Sequence, residues 1–177
     1  MAENASILQS KLKRIQLLLL DVDGVLTRGD IIYDDNGQET KVFNVKDGLG
    51  LRLIAEAGIK VGVVTGRSSM ALKHRCNNIG VEHIFDGVTD KAALLSRISD
   101  QTGVSAERTA YVGDDLPDLP IMTRVGVSIA VSDACQIVRQ NAAMVTLSKG
   151  GSGAVREICE TILKAQGLWE QALKRFK

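Results

Sequence analysis

The chain has 177 residues, 45% of them hydrophobic and 24% charged, with a formal net charge of +1. That length supplies one full-sized core, and the near-neutral charge excludes the electrostatic footprint of a nucleic-acid or acidic-membrane binder. Aromatic residues make up only 3%, which also speaks against a base-stacking platform.

Cys76, Cys135 and Cys159 are odd in number and far apart in the chain. Such spacing fits reduced thiols of a cytoplasmic protein better than a disulfide framework or a zinc site. The stretch 1–14 is polar and has no apolar signal-peptide core, which points to the same compartment. No repeat, linker or low-complexity segment appears, so a single domain over 1–177 is expected. Short apolar runs alternate with amphipathic helical patterns, the βα rhythm of an α/β protein. The expected fold is a Rossmann-like parallel sheet with helices on both faces.

In chain order, the first strand falls at Gln16–Val22 and ends in Asp21-Val22-Asp23-Gly24. An unbroken leucine run reads as a fully buried strand, and positions i and i+2 share a face. Asp21 and Asp23 should therefore emerge side by side at the carboxyl end of a central strand, where open α/β sheets bind ligands. Two carboxylates so placed repel each other, and a hard cation such as Mg²⁺ relieves them. Residues 30–45 interrupt the rhythm. Ile31, Tyr33, Val42 and Phe43 flank Asn36-Gly37, a strong hairpin signal.

Next comes a helix at Gly48–Ala57, with Asp47 as its N-cap and Gly58 as its stop. The strand Lys60–Val64 leads into Thr65-Gly66-Arg67. A hydroxyl beside exposed backbone N–H groups can hold a phosphate oxygen, aided by the start of a helix at Ser69–Ile79. Thr-Gly at a strand end also serves as an ordinary turn. A weak strand at His83–Phe85 precedes Lys91, which should open the helix Lys91–Thr102. A lysine there runs against the helix dipole, so an anionic partner would justify it. The strand Thr109–Val112 ends in Gly113-Asp114-Asp115-Leu116-Pro117-Asp118, and Pro117 suits the first turn of a short helix reaching about Val125. Further strands fall at Val127–Ala130 and Ala143–Thr146, and a last helix at Ala154–Ala165 ends at Gly167. The tail Leu168–Lys177 holds the single Trp and should dock on something.

Taken together, Asp21-x-Asp23, Thr65, Lys91 and Gly113-Asp114-Asp115-x-x-Asp118 resemble the four motifs of the haloacid dehalogenase superfamily. That resemblance implies a haloacid dehalogenase-like fold and a phosphatase working through a phospho-aspartate. Asp21 would be the nucleophile, and Asp23 the acid and then the base. Thr65 and Lys91 would hold the phosphoryl oxygens. Mg²⁺ would be bound by Asp21, the backbone carbonyl of Asp23, and Asp114. Most members carry a cap domain, but the intervals Asp21–Thr65 and Thr65–Lys91 leave no room for one.

Finer features narrow the family. Phe43-Asn44-Val45-Lys46-Asp47-Gly48, Thr65-Gly66-Arg67-Ser68, Arg75, Gly87-Val88-Thr89-Asp90-Lys91 and the glycine-rich run 150–157 resemble the capless phosphatases of 3-deoxy-D-manno-octulosonate 8-phosphate (Kdo 8-phosphate). The resemblance covers about Ile15 to Gly167, with Phe85-Asp86 replacing the more usual Tyr-Gln. It implies a cytoplasmic homotetramer in lipopolysaccharide synthesis, with each active site completed by a neighbouring subunit. It also implies a sugar-acid pocket of Asn44, Val45, Lys46, Asp47, Gly48, Arg52, Gly66, Arg67 and Arg75, together with Asp23 and Lys91. A phosphatase of a nine-carbon acid, such as N-acylneuraminate 9-phosphate, would share the catalytic residues. A receiver-like signalling module would share the acids, the threonine and the lysine, but lacks the acid two residues after its phosphoacceptor.

Overall fold

A computed structural model describes residues 2–177. In chain order the elements are α1 (Ala2–Leu12), β1 (Leu17–Leu20), β2 (Ile32–Tyr33), β3 (Glu39–Thr40), α2 (Val45–Glu56), β4 (Lys60–Val64), α3 (Met70–Ile79) and β5 (His83–Phe85). They continue with α4 (Leu95–Thr102), β6 (Thr109–Gly113), α5 (Leu119–Met122), β7 (Val127–Ala130), α6 (Gln136–Asn141), β8 (Met144–Val145), α7 (Ala154–Ala165) and α8 (Trp169–Leu173).

Six of the strands form one sheet in the order β5-β4-β1-β6-β7-β8, and every pairing in it is parallel. The four leucines of β1 are fully buried, as a strand covered on both faces requires. The chain first builds outward through β4 and β5, then returns across β1 to add β6. Strand order thus reverses between β1 and β6. The crevice at their carboxyl ends is the topological switch point where sheets of this kind bind ligands. No cap domain is evident; β2 and β3 pair only with each other, antiparallel. Their turn is closed by Asp34, whose carboxylate accepts from the N–H groups of Asn36 and Gln38, while Gly37 takes a positive φ of 75°. No helix among the described residues is long and apolar enough to cross a membrane.

Five local expectations are corrected. The first strand stops at Leu20, and residues 22–27 form a tight turn in which the N–H groups of Val25, Leu26 and Thr27 converge on the Val22 carbonyl. Asp23 therefore sits in a turn, not on the face of a strand. Lys91 does not open a helix, because α4 starts at Leu95 and the Asp90 carboxylate caps the turn before it through Ala92 and Ala93. The polar N-terminal stretch, for which the sequence suggested no element, forms α1. The short helix after Pro117 spans only Leu119–Met122.

The fifth correction concerns Asp47. The N-cap of α2 is Asn44, whose side chain accepts from Lys46 and Asp47 N–H, so the helix begins three residues earlier than the pattern suggested. Asp47 is buried and caps a different helix. Its carboxylate accepts from Gly153 N–H at 3.2 Å and Arg156 N–H at 2.8 Å, at the start of α7. Burial pushes its pKa up despite those bonds. Beside it, Gly50 lets the helices approach closely, for a Cβ there would lie 3.0 Å from the Arg156 Cα. The tail docks on this same pair. Trp169 lies beside the Lys164 ammonium, 5.1 Å from the ring centroid, and Arg175 pairs with Glu56 on α2.

Removing a buried acceptor strands its donors, whereas removing an exposed cap loses only a modest net bond. Asp47→Ala should lower the unfolding free energy by about 2 kcal/mol, and Asn44→Ala by about 1 kcal/mol. Urea titrations read both; a neutral Asp47→Ala would contradict this role.

Candidate active site

Four carboxyl-end loops of the sheet contribute to one cleft of about 470 Å³, lined by Asp21, Asp23, Thr65, Gly66, Arg67, Lys91, Asp114, Asp115 and Asp118 among others. Asp21 follows β1, and its N–H still bonds to the Val112 carbonyl of β6, so its backbone is held by the sheet. Thr65 follows β4; its N–H donates to the Phe85 carbonyl and its hydroxyl accepts from Arg67 N–H. Lys91 follows β5, and Asp114 follows β6.

Lys91 is 6% exposed and lies at the centre of the charges. Its ammonium donates to Asp21 Oδ1 at 2.8 Å, to Asp118 Oδ1 at 2.6 Å and to the Tyr111 hydroxyl at 3.2 Å. Burial opposes its charge, but the two carboxylates outweigh that and raise its pKa. Asp21 is pushed up to about 6, by burial and by the Asp118 charge, against the pull of Lys91. Asp114 is pushed further, to about 8, by burial and by the neighbouring Asp21, Asp118 and Asp115 carboxylates. Lys91 therefore compensates the Asp21–Asp118 side of the cleft and leaves Asp114 short of positive charge.

Oxygens of Asp21, Asp114 and Asp118 lie within 4.8 Å of one another. Asp118 already has its partners, however. Oδ1 accepts from Lys91 and from the Tyr111 hydroxyl at 2.7 Å, and Oδ2 accepts from the N–H groups of Asp114 and Asp115. Its role is to aim Lys91 and brace the Asp114 loop. Asp21 and Asp114 remain as the carboxylates available to a cation. Gly24 makes space for the second of them, since a Cβ there would fall 2.0 Å from Asp114 Oδ2. An all-oxygen set with excess negative charge suits Mg²⁺.

Asp23 is arranged differently. Oδ1 accepts from the Lys41 ammonium at 2.5 Å and, at 3.5 Å, from the Thr27 hydroxyl. Oδ2 is buried without a hydrogen-bond partner, 4.0 Å from Arg67 Nε. Arg67 itself reaches Glu39 at 2.8 Å and the Tyr33 hydroxyl at 2.9 Å. Burial raises the Glu39 pKa, but the Lys41 and Arg67 charges bring it below the usual range.

A model of haloacid dehalogenase-like hydrolases matches residues 78–158. The 3-deoxy-D-manno-octulosonate 8-phosphate phosphatase KdsC of Escherichia coli K12 is 43% identical over 163 residues, covering 92% of this chain and 87% of the relative. The phosphatase of that name from Moraxella catarrhalis, solved with magnesium, phosphate and KDO, superposes with a TM-score of 0.93. It is 41% identical, with 97% and 98% of the two chains covered. A cobalt-bound structure of the Haemophilus influenzae enzyme gives a TM-score of 0.88 at 41% identity, covering 92% of this chain and 98% of that one.

The chain belongs to the KdsC family.

Not every residue assigned through resemblance to the KdsC family lies in the cleft. Asn44, Val45, Lys46, Asp47, Gly48, Arg52 and Arg75 all lie outside it. Val45 and Lys46 are exposed at the start of α2, and Asp47 faces α7. Arg75 donates to the Asn44 carbonyl at 3.1 Å and fills the space above Gly48. Arg52 points away, onto the Asn78 carbonyl. Conversely, the cleft region contains residues the sequence reading did not select. Asp118 was visible in the motif without a role, and its spacing from Asp115 is a capping-box pattern that the structure shows formed. Glu39 and Lys41 alternate along the hairpin, so their shared face was legible as charge at i and i+2. Tyr111, inside an apolar strand, gave no polar signal.

Proposed function

We propose that this chain hydrolyses Kdo 8-phosphate to the free sugar acid and inorganic phosphate, the step that supplies Kdo for lipopolysaccharide. The observation that carries this reading is the cleft at the β1/β6 switch point, set in a chain that matches KdsC phosphatases almost end to end. The relative solved with magnesium, phosphate and KDO supports both the substrate class and the ion. Family membership also disposes of the receiver-like alternative.

In this reading Asp21 attacks phosphorus through a carboxylate oxygen, and the bond from phosphorus to the sugar oxygen breaks. Asp23 gives its proton to that oxygen, then removes one from the water that cleaves the phospho-aspartate. Lys91, Thr65 and the Gly66 backbone hold the phosphoryl oxygens. Mg²⁺, held by Asp21, Asp114 and the backbone carbonyl of Asp23, offsets the charge that would otherwise keep carboxylate and phosphate apart. Arg67 faces the sugar end of the cleft.

Without a cap, the cleft needs another cover. Ile31, Ile32, Tyr33 and Val42 of the hairpin segment are exposed, as is Val45 just after it. An isolated two-stranded hairpin is marginal in water. We infer that hairpins from four copies pack into a collar, bringing Asn44, Val45 and Lys46 to a neighbouring cleft. Arg75, Asp47 and Gly48 then stiffen that segment from behind, and Arg52 has no contact role visible within one chain. Such a collar would also shield the phospho-aspartate from stray water.

Steady-state assays should give kcat/KM for Kdo 8-phosphate at least about a hundredfold above that for N-acylneuraminate 9-phosphate, since hydrogen-bonding sites strongly reject mismatched partners. Activity should vanish with EDTA and return with Mg²⁺. Preference for the nine-carbon acid, or turnover after exhaustive chelation, would overturn the corresponding part of the reading. Sedimentation at assay concentration should give a tetramer that Ile32→Asp dissociates with loss of activity. A fully active monomer would remove the collar.

A further inference from the structure

Lys41 carries an inference that rests on the phosphatase reading and deepens it. A lysine on a surface hairpin ordinarily leaves its ammonium in water. Here only 3% of the side chain is exposed, and the ammonium lies between Asp23 Oδ1 at 2.5 Å and Glu39 Oε1 at 3.3 Å. It reaches the cleft from β3's end while β2 and β3 pair with nothing in the main sheet. Burying an ammonium is costly unless charged partners compensate it, so this contact has a specific beneficiary.

That beneficiary is the geometry of Asp23. The side chain leaves a tight turn, and the groups that contact it set its orientation. Lys41 holds one oxygen, with the Thr27 hydroxyl beside it at 3.5 Å, and the other oxygen is left buried without a hydrogen-bond partner. An oxygen that is not already accepting a strong bond is the one free to carry the travelling proton, and Asp23 lines the cleft.

We propose that Lys41 is a positioning residue that anchors Asp23 Oδ1 so that Oδ2 is the atom that shuttles the proton. In the first half-reaction the Asp21 oxygen forms its bond to phosphorus as the phosphorus–sugar oxygen bond breaks. The electron pair of that bond stays on the sugar oxygen, which takes the proton from Oδ2. In the second, Oδ2 takes a proton from water as the water oxygen attacks phosphorus, and the phosphorus–Asp21 bond breaks to restore the carboxylate. Lys41 exchanges no proton in either step. Glu39 completes the anchor by pairing with both Lys41 and Arg67, which ties the acid's orientation to the guanidinium at the sugar end.

Leaving-group dependence separates this role from a purely structural or phosphate-binding one. A sugar alkoxide departs only with a proton, whereas p-nitrophenolate departs without one. Loss of general-acid geometry should therefore cut kcat/KM steeply for alkyl phosphates and mildly for the aryl phosphate. For Lys41→Met with Mg²⁺ present, kcat/KM on Kdo 8-phosphate and on β-glycerol phosphate should fall about a hundredfold. The fall on p-nitrophenyl phosphate should be smaller by about tenfold or more. Lys41→Arg should recover part of the alkyl-selective loss, because a guanidinium can still donate to Oδ1. Equal losses on alkyl and aryl phosphates, or no loss on either, would overturn the proposal. Wild-type chain that hydrolyses β-glycerol phosphate but not Kdo 8-phosphate would overturn the substrate assignment alone, and the Lys41 comparison would then be read on β-glycerol phosphate.

Discussion

Everything in the cleft depends on how one buried ammonium is shared among acids. Lys91 sits between Asp21 and Asp118, at 2.8 and 2.6 Å, and its ammonium also donates to the Tyr111 hydroxyl. An isolated charge at that depth would be lost to neutralisation, and losing one partner of such a cluster costs roughly 3–5 kcal/mol. The chain accepts that risk because the sheet supplies the partners from separate strands. β1 delivers Asp21, the loop after β6 delivers Asp118, and the loop after β5 delivers Lys91. The cluster is thus a consequence of strand order. It forms only where β1 and β6 lie side by side at the reversal of the sheet.

The charge balance also divides the labour among the acids. Asp118 is saturated by four donors and is fixed as a support. Asp21 has Lys91 on one side and is open on the other, the arrangement expected of a nucleophile that must approach a dianion. Asp114 has no ion-pair partner among the described residues, and burial together with three neighbouring carboxylates raises its pKa. A divalent ion between Asp21 and Asp114 is the simplest remedy. Asp23 stands apart in its turn, with Lys41 on one oxygen, so the proposed acid–base group and the proposed nucleophile are each held by a different lysine.

Much of this was legible in the sequence because the signals were local. The leucine run into Asp21, the apolar runs ending at Thr65 and Asp114, and the Asn36-Gly37 turn each fix a position within a few residues. β4, β5 and β7 fall where the patterns put them. What the sequence did not disclose depends on contacts between distant segments. Asp47 looked like the cap of its own helix, because capping chemistry is the same whichever helix receives it; it caps α7, more than a hundred residues on. Lys91 looked like a helix start because Asp90 caps a turn that does not propagate until Leu95. Lys41 gave no sign of burial, since a lysine on a hairpin reads as solvated until the fold brings Asp23 beneath it.

The central claim is that Asp21 becomes covalently phosphorylated in each turnover. Acid-quenching the enzyme with Kdo 8-phosphate and Mg²⁺ in the millisecond range, followed by peptide mass spectrometry, tests this directly. The peptide containing Asp21 should carry the mass of one phosphoryl group at that residue, and the Asp21→Asn protein should show none. Steady turnover with no acyl phosphate at any quench time, or a phosphoryl group mapped to another residue, would contradict it.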